Sequence, residues 1–298
     1  MAPRPVVKAW LAAFRSAEAL PEQFDEMVER LHRPLVERIA AEARAAGRCW
    51  IVGVCGTQAS GKSTLCAVVA RLLEEEGLRA AVISIDDLYL TREEREALAR
   101  EVHPLLITRG VPGTHDVDLG LRLFDELARA GSVRLPRFEK ARDTRRPTQD
   151  WDSYEAPADV VLFEGWCVGA RPQDEAALAQ PVNALERDED PDGAWRAYAN
   201  TQLAGPYQAL FGRLDRLVML QAPGFETVLD WRREQEAKLR ARLAAQGGDL
   251  SRTMDEAALV RFIAHYERLT RHILSEMPAR ADVLARLGPA RELLNLRI

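Results

Sequence analysis

Residues Gly56-Thr57-Gln58-Ala59-Ser60-Gly61-Lys62-Ser63 form a complete G-x-x-x-x-G-K-S octapeptide, and few patterns of eight residues limit a fold so tightly. The apolar run Trp50 to Cys55 before it suits a buried strand. After it, Leu65, Val68, Val69, Leu72 and Leu73 share one helical face, and Gly77 sits where that helix would stop. The glycines let the backbone curl until successive N–H groups point inward, and the new helix adds the positive end of its dipole. A polyphosphate fits such a nest, with Lys62 reaching the β/γ-phosphates and the Ser63 hydroxyl holding Mg²⁺. A chance Gly-rich turn is the competing reading, and the strand before and helix after weigh against it.

The 298 residues allow a large core, in one α/β domain with insertions or in two small ones. The net charge of −5 argues against general nucleic-acid binding, which needs a positive field. Cys49, Cys55, Cys66 and Cys167 lack C-x-x-C spacing and lie in or near apolar segments, so they read as small buried hydrophobes of a reducing compartment. The opening residues do not read as a signal peptide, and no apolar run reaches membrane-spanning length. A cytoplasmic protein without membrane partners is the expectation.

Residues 5–46 read as helical, with Trp10, Leu11 and Phe14, then Phe24, Met27, Val28, Leu31, Leu35 and Ile39 in an apolar stripe, and Pro21 dividing two helices. The expected organisation is an N-terminal helical extension over residues 1–46, packed on a domain over 47–298. A second strand, Ala80 to Ile85, leads into Asp86-Asp87-Leu88-Tyr89-Leu90-Thr91. Strand, loop, helix, strand implies a right-handed crossover and a parallel sheet, with ligand chemistry beyond the carboxyl ends of the strands. Asp86 and Asp87 fall there, although one of them could instead cap a helix.

Further on, Thr108-Arg109-Gly110-Val111-Pro112-Gly113-Thr114-His115-Asp116 is a turn-rich loop, and Asp116 can cap a helix from Val117 to Ala130. Six basic residues stand within the thirteen positions from Arg134 to Arg146. A solvated loop is the usual meaning of such a run, and a site for an anionic ligand is the alternative. Val160 to Phe163 makes a third strand that ends in Glu164, the pattern of a Mg²⁺-orienting acid. Residues 166–215 read as a substrate-side insertion, and Leu217 to Leu220 as a fourth strand. The helix from Glu226 to Ala245, stopping at Gly247-Gly248, carries Arg232 and Arg233 and could close as a lid over 225–250. A helix from Asp255 to Ser275 and a closing pair of strands complete the chain.

Three classes carry such a loop. Signalling GTPases read guanine with N/T-K-x-D, which the chain lacks. Motor ATPases usually end the Walker-B strand in two acids, whereas Gly165 follows Glu164. A kinase must present a carboxylate to the acceptor hydroxyl, which suits Asp86.

The set GxxxxGKST, SIDDLYLT, RGVPGTHDVDL, PRFEKARDTR, DVVLFEGW and WRREQE resembles the plant-type D-glycerate 3-kinases, within a P-loop kinase group that includes pantothenate kinase, uridine kinase and phosphoribulokinase. The likeness covers about residues 50–298. It implies an α/β fold, a P-loop kinase with a mostly parallel central sheet flanked by helices, and ATP-dependent phosphorylation of D-glycerate to 3-phosphoglycerate with Mg²⁺. By motif position it makes Asp86 the base and Glu164 the Mg²⁺-associated acid, with Thr64 closing the nucleotide-binding set. Asp87, Tyr89, Arg109, His115, Asp116, Lys140 and Arg142 fall on the acceptor side, and Arg232 or Arg233 is the lid arginine. Members of the family differ in acceptor, so pantothenate, a nucleoside or a sugar stays open. An ATP-binding regulatory module without turnover is the reading of another class.

Overall fold

The computed structural model describes residues 9–245, 247, 249 and 253–298. Residues 1–8 of the expected N-terminal extension, and positions 246, 248 and 250 of the expected lid, lie outside them. The chain starts with α1 (Ala9–Ala17) and turns at Pro21. It then runs through α2 (Phe24–Met27) and a π-helical stretch (Val28–His32) into α3 (Arg33–Ala46). Leu11, Phe24, Val28, Leu31, Leu35 and Ile39 are all buried. They share one cluster with Val68, Val69 and Leu72 of α4 (Lys62–Glu75).

The described strands are β1 (Trp50–Gly56), β2 (Ala80–Ser84), β3 (Gly131–Leu135), β4 (Phe138–Glu139), β5 (Thr144–Arg145), β6 (Asp152–Ala156), β7 (Val160–Gly165), β8 (Arg216–Gln221), β9 (Val283–Leu287) and β10 (Leu293–Arg297). Six of them form the main sheet in the order β10-β9-β8-β1-β7-β2. Neighbours run parallel except β10, which pairs antiparallel with β9 at the edge. The sheet is buried on both sides, so its strands read as continuous apolar runs, but the two sides still alternate. Val52, Val54, Leu162 and Leu220 pack toward α3 and α4. Ile51, Cys55, Val161, Phe163 and Met219 pack on the opposite face. That face is covered by α6 (Val117–Leu127), α10 (Pro206–Phe211) and α12 (Glu256–Glu276).

The sheet and its flanking helices agree with the expectation from sequence, including the four internal strands and the closing pair. Two small sheets, β3–β6 and β4–β5, were not expected. The pairing of Gly131–Leu135 with residues 152–156 joins segments far apart in sequence, and no local periodicity announces it. Helix α6 stops at Leu127, short of Ala130, and the Leu127 carbonyl accepts the Ala158 amide at 2.8 Å. The remaining helices are α5 (Arg92–Glu101), α7 (Glu175–Leu178), α8 (Ala184–Glu189), α9 (Ala194–Ala204) and α11 (Phe225–Ala245). No described helix is long and apolar enough to cross a membrane.

Candidate active site

The parallel register brings three loops to one edge of the sheet. Glu164 of β7 lies opposite Val54 on one side and Ser84 on the other. The octapeptide leaves β1 at Gly56, and Asp86 follows Ser84 by two residues, so both emerge beside Glu164. Gly61 starts α4 at φ +93°, a conformation that a residue with Cβ adopts only at a cost. The Ser63 hydroxyl donates to Glu164 Oε1 at 2.8 Å, which joins a hydroxyl and a buried carboxylate as two hard oxygen donors suited to Mg²⁺. The Thr57 carbonyl accepts from Lys62 Nζ at 3.0 Å and from the Ser60 amide at 3.2 Å. Thr57 Oγ1, Ser60 Oγ and both Gln58 amide atoms are buried without a partner. Such orphans are rare unless a ligand satisfies them, and a cradle of unpaired polar atoms around a lysine fits phosphate oxygens. No polar contact distinguishes Thr64.

Gly165 has a steric reason. A Cβ there would stand 2.3 Å from Ile85 Cγ2, so the position after Glu164 cannot carry the second acid of a motor ATPase.

Asp86 and Asp87 occupy one short 3₁₀ turn (Ile85–Leu88) but face different partners. Asp86 Oδ2 accepts from Lys140 Nζ at 2.7 Å and Oδ1 from the Tyr89 hydroxyl at 2.8 Å. Burial alone would raise its pKa, but Lys140, Tyr89 and Lys62 together outweigh burial and hold it at about 2. Asp87 instead accepts the Phe138 amide at 3.0 Å and pairs with Arg137 at 3.2 Å. Neither caps the next helix. Thr91 does so in a reciprocal capping box with Glu94.

Tyr89 and His115 form an isolated antiparallel bridge, and their rings stack at 4.6 Å. The Tyr207 oxygen accepts the Gly113 amide at 3.0 Å and lies 2.5 Å from His115 Nδ1. Either group can donate in that bond, according to the His115 tautomer. Burial pushes the His115 pKa down to about 3, so the ring is neutral, and its Nε2 is buried without a described partner. Asp116 caps α6 by accepting the Leu119 amide at 2.9 Å and pairs with Arg145 at 3.1 Å.

Most of the basic run is neutralised from within. Arg137 pairs with Asp87 and Asp152, Arg145 with Asp116, and Lys140 with Asp86. The hairpin β4–β5 is thus pinned over the acidic loops. Lys140 remains 64% exposed. Arg142 is not brought to the group: it is 77% exposed and faces Glu139 at 3.5 Å.

Arg109 pairs with Asp143 and lies over the Phe138 ring. The two arginines of α11 diverge. Arg233 points outward to Asp230 and Glu256. Arg232 turns inward at 14% exposure, bonded to Gln235 and Glu236. Burial lowers the Arg232 pKa, Glu236 opposes this, and Arg109 adds to the downward pull. Two guanidiniums, one from the 108–116 loop and one from α11, are thus near enough to repel each other.

Sequence reasoning missed several residues of this neighbourhood. Arg95 is fully buried, donates to the carbonyls of Leu90, Ile107 and Asp143, and pairs with the Asp143 carboxylate. Tyr266 donates to the Arg109 carbonyl at 2.9 Å, and Trp166 to the Gly110 carbonyl at 3.0 Å. The FEGW tetrapeptide carried a signal for Trp166. Arg95 and Tyr266 lie in ordinary helical patterns.

A central strand feeding a polyphosphate nest, with a hydroxyl–carboxylate pair and a second carboxylate on the same rim, defines a P-loop kinase of small molecules. Comparison with known proteins agrees. The chain is 30% identical over 241 residues to the "Uncharacterized kinase mug58" of Schizosaccharomyces pombe, covering 78% of this chain and 83% of that protein. It is 27% identical over 245 residues to the chloroplastic D-glycerate 3-kinase of Arabidopsis thaliana, and it spans only 50% of that protein's length. The chain belongs to the same family of P-loop kinases as the fission-yeast protein, and it is similar to the D-glycerate 3-kinases. Its fold matches a D-glycerate 3-kinase structure from Cryptococcus neoformans with a TM-score of 0.74 at 24% identity, over 91% of this chain and 98% of that one. The YGR205w protein matches with a TM-score of 0.67 at 23% identity, over 92% and 96%. A family profile described as "Methylmalonyl Co-A mutase-associated GTPase MeaB" matches residues 19–89. That span covers α2, α3 and the strand–loop–helix–strand unit but begins after α1 and stops short of Glu164.

Proposed function

We propose that the chain transfers the γ-phosphoryl group of ATP to a hydroxyl of a small anionic acceptor, D-glycerate, giving 3-phosphoglycerate. The observation that carries the reading is the meeting of Lys62, the Ser63–Glu164 pair and Asp86 at one rim, with Asp86, Arg109 and Arg232 all within electrostatic reach of Tyr266. The activity by which two similar proteins are named, D-glycerate 3-kinase, supports the choice of acceptor.

The amides of residues 56–61 and the Lys62 ammonium hold the triphosphate, which also satisfies Thr57 and Ser60. Ser63 and Glu164 would hold Mg²⁺, which supplies charge neutralisation between the phosphates. Asp86 orients the acceptor hydroxyl and takes its proton as the new bond forms. A carboxylate with a pKa near 2 is a weak base, so Lys140 must leave it first. With the acceptor hydroxyl in place of Lys140, burial is less opposed and the basicity of Asp86 rises. Lys140, largely exposed, can then follow the acceptor's charge. The acceptor carboxylate suits a forked cation, which favours Arg109, and the neutral His115 adds a ring nitrogen, Nε2, that has no described partner. Arg232 draws charge from the transferring group, while Asp87 and Asp116 fix the loops.

The test is acceptor-dependent ADP release with D-glycerate, pantothenate, nucleosides and sugars, with the product phosphate located by NMR. Turnover with D-glycerate and phosphate on its 3-hydroxyl is expected. Turnover only with another acceptor would overturn the glycerate reading, and none with any acceptor would favour a regulatory nucleotide-binding protein.

A further inference from the structure

The turn between β9 and β10 runs Gly288-Pro289-Ala290-Arg291, and Arg291 closes it at φ +65°. Its guanidinium works in three directions. Nε donates to the Ala59 carbonyl at 2.8 Å, Nη1 pairs with Glu234 of α11 at 2.7 Å, and the plane lies 5.0 Å over the Trp231 ring of the same helix. Trp231 in turn donates its indole N–H to the Pro289 carbonyl at 2.7 Å. One arginine thus touches the phosphate loop and α11 at once.

Ala59 is the middle of the octapeptide and takes φ +58°, a strained setting for a residue with a side chain. In a trans peptide the carbonyl and the next amide N–H point in opposite directions. Arg291 holds the Ala59 carbonyl outward, so the Ser60 N–H is held inward, where it now bonds the Thr57 carbonyl at 3.2 Å. A phosphate oxygen would compete for that N–H and for Lys62, which shares the same carbonyl. Any rotation of the 59–60 peptide is felt at Arg291, and through Glu234 and Trp231 by α11. Arg232 is two residues from Glu234 and next to Trp231 in that helix.

We propose that Arg291 is a positioning residue that couples the phosphate loop to α11, so that filling the loop sets the position of Arg232. The inference rests on the nucleotide-binding part of the function proposed above and is independent of which acceptor is used. A planar fork holds two partners at a fixed angle, which a lysine cannot do.

The experiment uses the full chain with Mg²⁺ and a non-hydrolysable ATP analogue, reading analogue affinity by calorimetry and α11 amide protection by hydrogen exchange. In the wild type, the analogue is expected to slow exchange in α11. Arg291→Gln should weaken the analogue by about tenfold and abolish the added protection, with Arg291→Lys recovering it only in part. Glu234→Gln leaves the bond to Ala59 in place, so it should keep affinity within about twofold yet lose the protection. This second variant keeps the test intact if Arg291→Gln fails to fold. Analogue binding without α11 protection in the wild type, or full protection in Glu234→Gln, would overturn the coupling alone. Failure of the wild type to bind the analogue would overturn the nucleotide reading itself.

Discussion

At Asp86, burial and three neighbours pull in opposite directions, and the neighbours win. Replacing Asp86 by Asn keeps the shape and a hydrogen-bond acceptor for Tyr89 but removes the base. A loss of about a hundredfold or more in kcat is expected, with analogue affinity nearly unchanged. Steady-state kinetics with calorimetry checks this, and near-normal turnover would remove Asp86 from its role. Lys62→Ala should instead weaken nucleotide binding and turnover together, since its charge serves both. Lys140→Met tests the electrostatics directly. Without that ammonium, burial is opposed only by Tyr89 and the more distant Lys62, so the Asp86 midpoint should move up from about 2. Carboxyl-carbon NMR titration reads the shift, and an unchanged midpoint would contradict the assigned cause. The identities of Asp86, Lys62, Ser63 and Glu164 were legible because short motifs fix their chemistry. Their partners were not, because Lys140 and Glu164 reach them across 54 and 101 positions of chain.

At the scale of the element, the hairpin β4–β5 owes its place to acids and an arginine outside it. Asp87, Asp116 and Asp86 hold it from below, and Arg95 holds the Asp143 peptide and carboxylate at its far end. Arg95→Met should cost about 3 kcal/mol or more, because three carbonyls and a carboxylate lose a buried donor. Urea denaturation measures it, and a change below about 1 kcal/mol would show that water replaces the guanidinium readily. Activity should fall as well, since the hairpin carries Lys140. Nothing in Arg92-Glu93-Glu94-Arg95-Glu96 marks the fourth residue as buried: the segment reads as a solvated charged helix. Its burial comes from the loop 104–110 and the hairpin folding over it, which is a tertiary event. The divergence of Arg232 and Arg233 is likewise a matter of helix rotation. Adjacent residues on a helix point about 100° apart, so only one can face the site, and the packing of α11 selects Arg232.

At the scale of the whole molecule, several buried or paired groups contribute to the response to acid, among them His32, His115 and Asp86. Burial lowers the His32 pKa to about 4, against the raising effect of its bond to the Met27 carbonyl, and lowers that of His115 to about 3. Below pH of about 6.5 the unfolded chain takes up protons at these histidines that the folded chain refuses, so stability falls as pH drops from there. Asp86 has a depressed folded pKa, so its contribution is present above about pH 4 and is lost toward pH 2. Thermal unfolding followed against pH should show the melting temperature declining from pH 6.5 downward, with a further decline below pH 4. A flat profile between pH 6.5 and 4 would mean that the histidines are not buried as described.

The apolar runs alone determined strands at Trp50–Cys55, Ala80–Ile85, Val160–Gly165 and Leu217–Leu220, each within a residue of its observed ends. The octapeptide, with strand before and helix after, determined that the central loop is a phosphate nest. These are local properties, fixed by side-chain period and by glycine backbone freedom. The order β10-β9-β8-β1-β7-β2, the pairing of Ser63 with Glu164, the rotation of α11 and the reach of Arg291 to Ala59 were decided only by the tertiary structure. The physical reason is that each depends on which distant segments exclude water from one another, and a linear pattern of residue types does not state that.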